Sequence, residues 1–246
     1  MLPFQTGIDD IAVVIPAYNA GETLGQVLSK IFEIIPGCQV IVVDDGSTDN
    51  TCDLATRHGT KLIRHHQNRG KGAALKTGFQ AAISRPEIQA VITMDADGQH
   101  APEHVSEFVR VFRETPVDLI IGCRQLRWPQ MPIPRIASNK ITSALVSWRL
   151  GMKIPDSQSG YRLHSRRLLQ SIELRTNGYE TESELLFKAA RLGMIISFIP
   201  ISTIYAGERS HIHGWRDTWR FVKLWLTSVL RLWATQVVFL MLQVMG

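Results

Sequence analysis

Four short runs along the chain are almost wholly apolar and rich in branched residues: Ile11 to Pro16, Gln39 to Val43, Ala90 to Met94 and Val117 to Ile121. Such runs suit strands covered on both faces, as in a parallel sheet. Between them the apolar residues recur at helical spacing over Glu22 to Ile35, Asn50 to His58, Lys71 to Ile83 and Pro102 to Glu114. This β-α-β-α rhythm predicts an α/β fold with right-handed crossovers and helices on both faces of a mostly parallel sheet. From Arg124 to Pro134 the chain is dense in Trp, Pro, Gln and Arg, which marks an irregular loop, with a helix beginning near Arg135. No internal repeat or low-complexity tract interrupts the pattern.

In sheets of this kind ligands bind beyond the carboxyl ends of the strands. Polar residues gather there: Tyr18 and Asn19 after the first run, Asp44-Asp45-Gly46-Ser47 after the second, and Asp95-Ala96-Asp97-Gly98-Gln99-His100 after the third. Asp95 and Asp97 stand one residue apart on a turn, so both carboxylates can face one hard cation, Mg or Mn, that also takes phosphate oxygens. A helix-capping pair is the structural alternative. Asp44 and Asp45 can accept from a nucleobase or ribose, while Thr48 or Asp49 caps the helix that follows. Gly70-Lys71-Gly72 lacks both the P-loop and the dinucleotide fingerprint, although a helix start carrying Arg69 and Lys71 can approach phosphate. His100 is a candidate outer ligand of the metal, with a locally hydrogen-bonded loop histidine as the alternative.

Four segments in this order, Val14-Ile15-Pro16-Ala17-Tyr18-Asn19, Val42-Val43-Asp44-Asp45-Gly46-Ser47, Asn68-Arg69-Gly70-Lys71-Gly72 and Met94-Asp95-Ala96-Asp97-Gly98-Gln99-His100, resemble family 2 glycosyltransferases. Within that family they are most similar to the dolichol-phosphate mannosyltransferases and their bacterial polyprenyl-phosphate relatives. The resemblance spans roughly residues 10 to 210 and implies a GT-A fold, a nucleotide-diphosphate sugar donor and inversion at the anomeric carbon. It places Pro16, Tyr18 and Asn19, with Asp44 or Asp45, at the nucleoside, and Asp95, Asp97 and Gln99 around the metal, with Lys71 and Ala96 beside the substrate. Asn19 departs from the Glu often found at its position. The resemblance also assigns diphosphate or acceptor phosphate to Arg124, Arg135, the Asp156-Ser157-Gln158-Ser159-Gly160-Tyr161-Arg162 segment and Arg209. Arginine suits such work because its fork meets phosphate oxygens in pairs.

Composition narrows the class without choosing the substrate. The 246 residues are 45% hydrophobic and 20% charged, which fits a globular chain with a full core. A net charge of +5 is compatible with phosphorylated ligands, anionic lipid or nucleic acid. Nucleic acid is disfavoured because the basic residues alternate with Trp and Leu at helical spacing and no aromatic-rich strand platform is present. Cys38, Cys52 and Cys123 are odd in number and have no metal-ligand spacing, so they read as buried thiols of a reducing compartment. Asp9 and Asp10 precede the first strand with no cationic and apolar leader ahead of them, so a cytoplasmic body is expected.

The pattern divides the chain into a catalytic domain over residues 1–212 and a helical tail over 213–246. In the tail, Trp215, Trp219, Val222, Leu226, Val229 and Trp233 form one stripe and Arg216, Arg220, Lys223, Thr227 and Arg231 another. That pairing suits an amphipathic helix in an anionic headgroup layer. The uncharged stretch from Leu232 is fifteen residues long, short of the roughly twenty that span a bilayer. Extending it back to Leu224 would bury Arg231, at about 2–3 kcal/mol. The expectation is a peripheral enzyme on the cytoplasmic face of a membrane, passing sugar to a lipid phosphate. Two other readings remain: transfer to a saccharide hydroxyl with Glu180 or Glu182 as base, and a non-catalytic nucleotide- or membrane-binding module.

Overall fold

The computed structural model describes residues 8–125, 133–202, 204 and 222–225, with residues 133–135 described by backbone alone. Arg209 and most of the 213–246 tail lie outside the described residues. The expected elements form: strands β1 (Ile11–Ala17), β2 (Gln39–Asp44), β4 (Ala90–Thr93) and β5 (Leu119–Arg124), and helices α1 (Leu24–Ile34), α2 (Thr51–Arg57), α3 (Lys71–Ile83) and α4 (Val105–Glu114). Three further strands, β3 (Lys61–Arg64), β6 (Arg162–Ser165) and β7 (Ile196–Ile201), and helices α5 (Ile133–Leu150), α6 (Arg166–Ser171) and α7 (Thr181–Arg191) complete the body.

The strands make one seven-stranded sheet in the order β3-β2-β1-β4-β6-β5-β7. All neighbours are parallel except β6, which runs antiparallel to both β4 and β5. Alternate side chains leave the two faces of each strand, and both faces are covered. Ile11, Val13, Ile15 and Val42 pack toward α1 and α4 with Leu28, Ile31 and Phe108. Val14, Val43, Val91 and Leu119 pack on the other side with Phe79 of α3 and Leu185 and Leu186 of α7. This two-sided burial explains why β1, β2 and β4 read as unbroken apolar runs.

Because β1, β2 and β4 are parallel, their carboxyl ends leave the sheet side by side. Hydrogen bonds Asp45 N to Ala17 O (2.8 Å) and Met94 N to Val14 O (3.1 Å) hold the emerging loops in register. The antiparallel β6 brings the 156–161 loop to the same edge. The cap position of α2 falls on Asn50 rather than on the expected Thr48 or Asp49; Asp49 instead ties the turn, its Oδ1 accepting from Thr51 N at 3.0 Å and its Oδ2 from Gly21 N at 2.8 Å. The cysteines are free thiols, Cys38 buried and Cys52 and Cys123 half-buried. Among the described residues, no helix is long and apolar enough to cross a membrane.

Candidate active site

The ends of β1 and β2 are stapled together by polar side chains. Asn19 adopts φ 49°, a left-handed conformation that Asn tolerates better than most residues. Its amide donates to Ser47 Oγ (2.8 Å), and its Oδ1 accepts from Thr48 N (2.9 Å). Asn19 therefore shapes the rim. Pro16 is half-buried at the end of β1, and the Tyr18 ring stands 40% exposed beside it, free to meet a planar base.

Asp44 and Asp45 are both buried but differ in how their oxygens are used. Asp45 accepts from His65 Nδ1 (2.6 Å), from Gly70 N (2.7 Å) and from Arg69 N through both oxygens (3.0 and 3.1 Å). Its lone pairs are occupied in fixing the Arg69-Gly70 loop, so of the two expected nucleoside ligands Asp45 is scaffold. Asp44 accepts from Ser47 N (3.1 Å) and Cys52 Sγ (2.9 Å), with the exposed Arg64 at 3.3 Å. Beside Asp44, burial and the neighbouring carboxylate push the Cys52 thiol up to about 11. Cys52 thus serves as a neutral donor.

At the end of β4, Asp95 meets Lys71 from the first turn of α3. Lys71 Nζ lies 2.6 Å from Asp95 Oδ1 and 3.0 Å from Glu182 Oε1, joining a strand end, a helix start and the first turn of α7. Burial opposes the charge on both partners. Their mutual attraction wins, holding the Asp95 carboxyl below and the Lys71 ammonium above their ordinary ranges. Lys71, expected to approach phosphate from a helix start, bridges two carboxylates. A Cβ on Gly160 would sit 2.7 Å from Asp95 Oδ2 and 3.0 Å from Lys71 Nζ, so only glycine lets the 156–161 loop close over the pair. On the other side of Lys71, Gly70 has φ +98° and Gly72 packs directly on Thr181 and Asn177, which accounts for both glycines of the motif.

His100 is buried and stacks on Tyr161 at 5.0 Å between ring centres. Its Nδ1 accepts from Asp95 N at 3.1 Å, which places the ring proton on Nε2, 3.9 Å from Asp95 Oδ2. Burial is the largest influence on this ring and lowers its pKa to about 4, so it stays neutral. His100 supports Asp95 from behind rather than standing at the front of the site. Ala96 is buried, and its carbonyl accepts from Thr23 Oγ1 at 2.6 Å, fixing the turn to α1.

Asp97 is half-buried on the turn, its Oδ1 accepting from Gln99 N at 3.0 Å, with Gly98 at φ 75° making the bend. The Gln99 carbonyl accepts from Ile204 N at 3.1 Å, tying the turn to the chain that follows β7. Among the described residues no group of at least three His, Cys, Asp or Glu side chains converges to hold a metal. Mg or Mn held by one or two carboxylates takes its remaining oxygens from phosphate and water. The two-carboxylate turn fits such an ion only in company with a diphosphate; Asp95 faces Lys71, and Asp97 holds Gln99 N.

The second cluster is built around Asp156. Arg124, at the end of β5, grips it with two parallel bonds, Nε to Oδ2 (2.8 Å) and Nη2 to Oδ1 (3.1 Å). Asn139 Nδ2 of α5 (2.8 Å) and Gln158 N (3.1 Å) also donate to Asp156. Burial raises the Asp156 pKa, but these donors, Arg124 foremost, carry it below the usual carboxylate range. Gln158 is exposed; Ser159 is buried, its hydroxyl without a partner among the described residues. Arg162, expected at the substrate, is only 1% exposed. Its guanidinium donates to the carbonyls of Ser159 (2.7 Å), Glu182 (2.8 Å) and Ser157 (2.8 Å). It welds the loop to α7 and has no face toward a ligand, because unpaired carbonyls in this interior would be costly. Arg135 lies in the first turn of α5, where the backbone alone is described.

Sequence reasoning missed Asn139 and the part played by Glu182 as the second carboxylate on Lys71. The Gly-Lys-Gly spacing carried a signal, since glycines on both sides of a lysine mark a helix start pressed against other backbone.

These features gain a family from comparison with known proteins. The family model described as Glycosyl transferase family 2 matches residues 12–171, and the chain belongs to that family. Among relatives, it is 32% identical over 217 residues to a UDP-N-acetylglucosamine--dolichyl-phosphate N-acetylglucosaminyltransferase of Methanococcus voltae, covering 79% of this chain and 86% of the other. It is 29% identical over 210 residues to an undecaprenyl-phosphate mannosyltransferase of Micrococcus luteus, covering 79% and 83%. Among solved structures, glucosyl-3-phosphoglycerate synthase of Mycobacterium tuberculosis, in complex with phosphoglyceric acid, superposes with TM-score 0.72 at 23% identity over 90% of this chain and 80% of that one. The same enzyme with Mn2+, uridine-diphosphate and glucosyl-3-phosphoglycerate gives 0.68 at 22% identity, over 91% and 80%. These likenesses place the chain in the GT-A fold.

Proposed function

We propose that the protein transfers a hexose from a nucleotide-diphosphate sugar to a polyprenyl or dolichyl phosphate at the cytoplasmic face of a membrane, with inversion at the anomeric carbon. The observation that carries this reading is the meeting of the Asp95-Ala96-Asp97 turn with Lys71 and Glu182, two loops away from the Arg124–Asp156 pair. The names of the two relatives share a polyisoprenoid phosphate acceptor and differ in the sugar. The acceptor class is therefore the better supported half of the assignment, and mannose, glucose or N-acetylglucosamine is left to experiment.

In this reading Tyr18 and the Asn19 rim receive the nucleoside, with Asp44 beneath them. Asp97, with Gln99 beside it, would hold Mg or Mn; the structural neighbour solved with Mn2+ and uridine-diphosphate makes this pairing natural. Such an ion would act as a Lewis acid, offsetting the charge that builds on the departing diphosphate. The acceptor's phosphate oxygen attacks the anomeric carbon from the opposite side. A new carbon–oxygen bond forms, the bond to the diphosphate breaks, and its electron pair leaves on the diphosphate oxygen. The acceptor is already anionic, so no proton has to be removed. Lys71 holds Asp95 and Glu182 in place, and Arg124 presents a cation beside the 156–161 loop for phosphate oxygens. Glu182 Oε1 is engaged by Lys71 at 3.0 Å, an arrangement suited to orienting charge rather than extracting a proton from a hydroxyl.

The test is incubation of the full chain with radiolabelled nucleotide sugars, polyprenyl phosphate and Mn or Mg, followed by organic extraction. Label entering the solvent phase only when both metal and lipid phosphate are present is the expected result. Label appearing in polymer, together with loss of transfer in Glu182→Gln, would replace the reading with a hydroxyl acceptor.

A further inference from the structure

The two faces of α5 carry different residues. The inner face, Asn139, Ser143, Val146 and Ser147, is buried or half-buried and holds the candidate site. Asn139 donates to Asp156, Ser143 Oγ accepts from Ser157 N (2.9 Å), and Ser147 Oγ accepts from Ile154 N (2.9 Å). The outer face presents Ala137, Ile141, Ala144, Leu145 and Trp148, spaced as one helical stripe and all exposed. Ile141 is 62% exposed and Trp148 70%, an unusual display for large apolar side chains of a soluble body. The described part of the tail joins this edge: Trp225 Nε1 donates to Leu145 O (3.3 Å), and its ring lies 5.8 Å from that of Trp148.

We infer that this outer face of α5, with Trp225 beside it, is a docking surface for an anionic lipid bilayer, independent of the tail stripe beyond residue 225. Charge selects the occupant. From Leu119 to Pro155 the sequence contains no Asp or Glu and six cations, Arg124, Arg127, Arg135, Lys140, Arg149 and Lys153. Lys140 on α5, Lys153 after it and Lys223 in the tail are exposed. An apolar stripe with tryptophan, flanked by the exposed Lys140, Lys153 and Lys223, matches the boundary between acyl chains and anionic headgroups. A second copy of the chain pressing the same surface against it would bring cation onto cation. The consequence for the site is orientation: the helix that touches the membrane on one face holds Asp156 and Ser157 on the other. The inference rests on the lipid-acceptor reading only for that consequence, and its test omits the acceptor.

Full-length protein is sedimented with vesicles of phosphatidylcholine alone and with phosphatidylglycerol added, all free of polyprenyl phosphate. Wild type is expected to partition to the anionic vesicles, and Ile141→Glu/Trp148→Glu to lose about tenfold or more of that partitioning. The double variant should still transfer sugar to a detergent-solubilised acceptor. Brominated lipids supply a second reading that does not depend on the charged variants: they should quench wild-type fluorescence more than that of Trp148→Phe. Equal partitioning of wild type and double variant, or equal quenching, would overturn the inference. So would a wild-type dimer, seen without vesicles, that the double variant dissolves.

Discussion

The carboxylates at the end of β2 and those beyond β4 and beside β5 sit on the same edge of the sheet, yet they are held in opposite ways. Asp45 is answered by His65 and by the main-chain amides of Arg69 and Gly70, and Asp44 by an amide and a thiol, with the solvent-exposed Arg64 at 3.3 Å. Asp95 and Asp156 are answered mainly by full cations, Lys71 and Arg124. Neutral, directional partners fix a loop and leave nothing for a ligand to exchange. A cation facing a carboxylate at the mouth of a site is a contact that an incoming phosphate or metal can share. The nucleoside half of the site is thus framework, and the half beyond β4 and β5 is where charge can be rearranged.

Four measurements bear on this division, in descending order of expected effect. Asp45→Ala should cost roughly 4 kcal/mol of stability, because two main-chain N–H groups and His65 lose their acceptor together. Urea unfolding measures it, and a loss below about 1 kcal/mol would remove Asp45 from the framework. Arg124→Ala should cost about 3 kcal/mol, since Asp156 is left buried without its guanidinium partner and keeps only neutral donors, Asn139, Gln158 N and the main-chain amide of residue 124. Asp156→Asn in the same chain should recover part of that loss; additive losses would deny the coupling.

The third measurement is the pH dependence of stability. His164 of β6 is 2% exposed, and burial, reinforced by the Arg162 charge, lowers its pKa from 6.5 to about 3. A histidine whose folded pKa is depressed binds its proton only when the chain unfolds. Stability is therefore fully present above pH 6.5 and declines as pH falls from there toward 3. The loss by pH 4 is on the order of 3 kcal/mol. His164→Phe should flatten this limb of the thermal-unfolding profile, and an unchanged slope would assign the acid sensitivity elsewhere. The smallest stability effect is expected for Gly160→Ala, about 1 kcal/mol, because the new methyl meets only side-chain ends, the Asp95 carboxylate first and Lys71 Nζ next, and no backbone. Its sugar transfer should nonetheless fall about tenfold or more as the Lys71–Asp95 pair opens. Stability lost without activity lost would place the close contact outside the working site.

Much of the nucleoside half was legible in sequence. β1, β2 and β4 are buried on both faces and read as apolar runs, and the polar clusters after them fall at the strand ends where the fold puts its site. β6 was not legible, because its buried positions include Arg162 and His164, whose burial depends on carbonyls and aromatic neighbours supplied by distant segments. β3 has only four residues, two of them exposed, and β7 contains Pro200, which weakens any strand pattern. The same limit applies to the site. Asp95, Lys71 and Arg124 were visible as candidates, but no periodicity tells that Lys71 would turn to Asp95 and Glu182, or that Arg162 would be spent on main-chain carbonyls while Arg124 was left beside Asp156.

On the proposed reading, the turn beyond β4 engages a divalent cation together with a diphosphate through Asp97. Calorimetric titration of nucleoside diphosphate into wild type and Asp97→Asn, each with and without Mn2+, tests it without requiring turnover. Mn2+ is expected to strengthen binding to wild type by about tenfold or more and to leave Asp97→Asn little changed. An equal gain from Mn2+ in both proteins would contradict it.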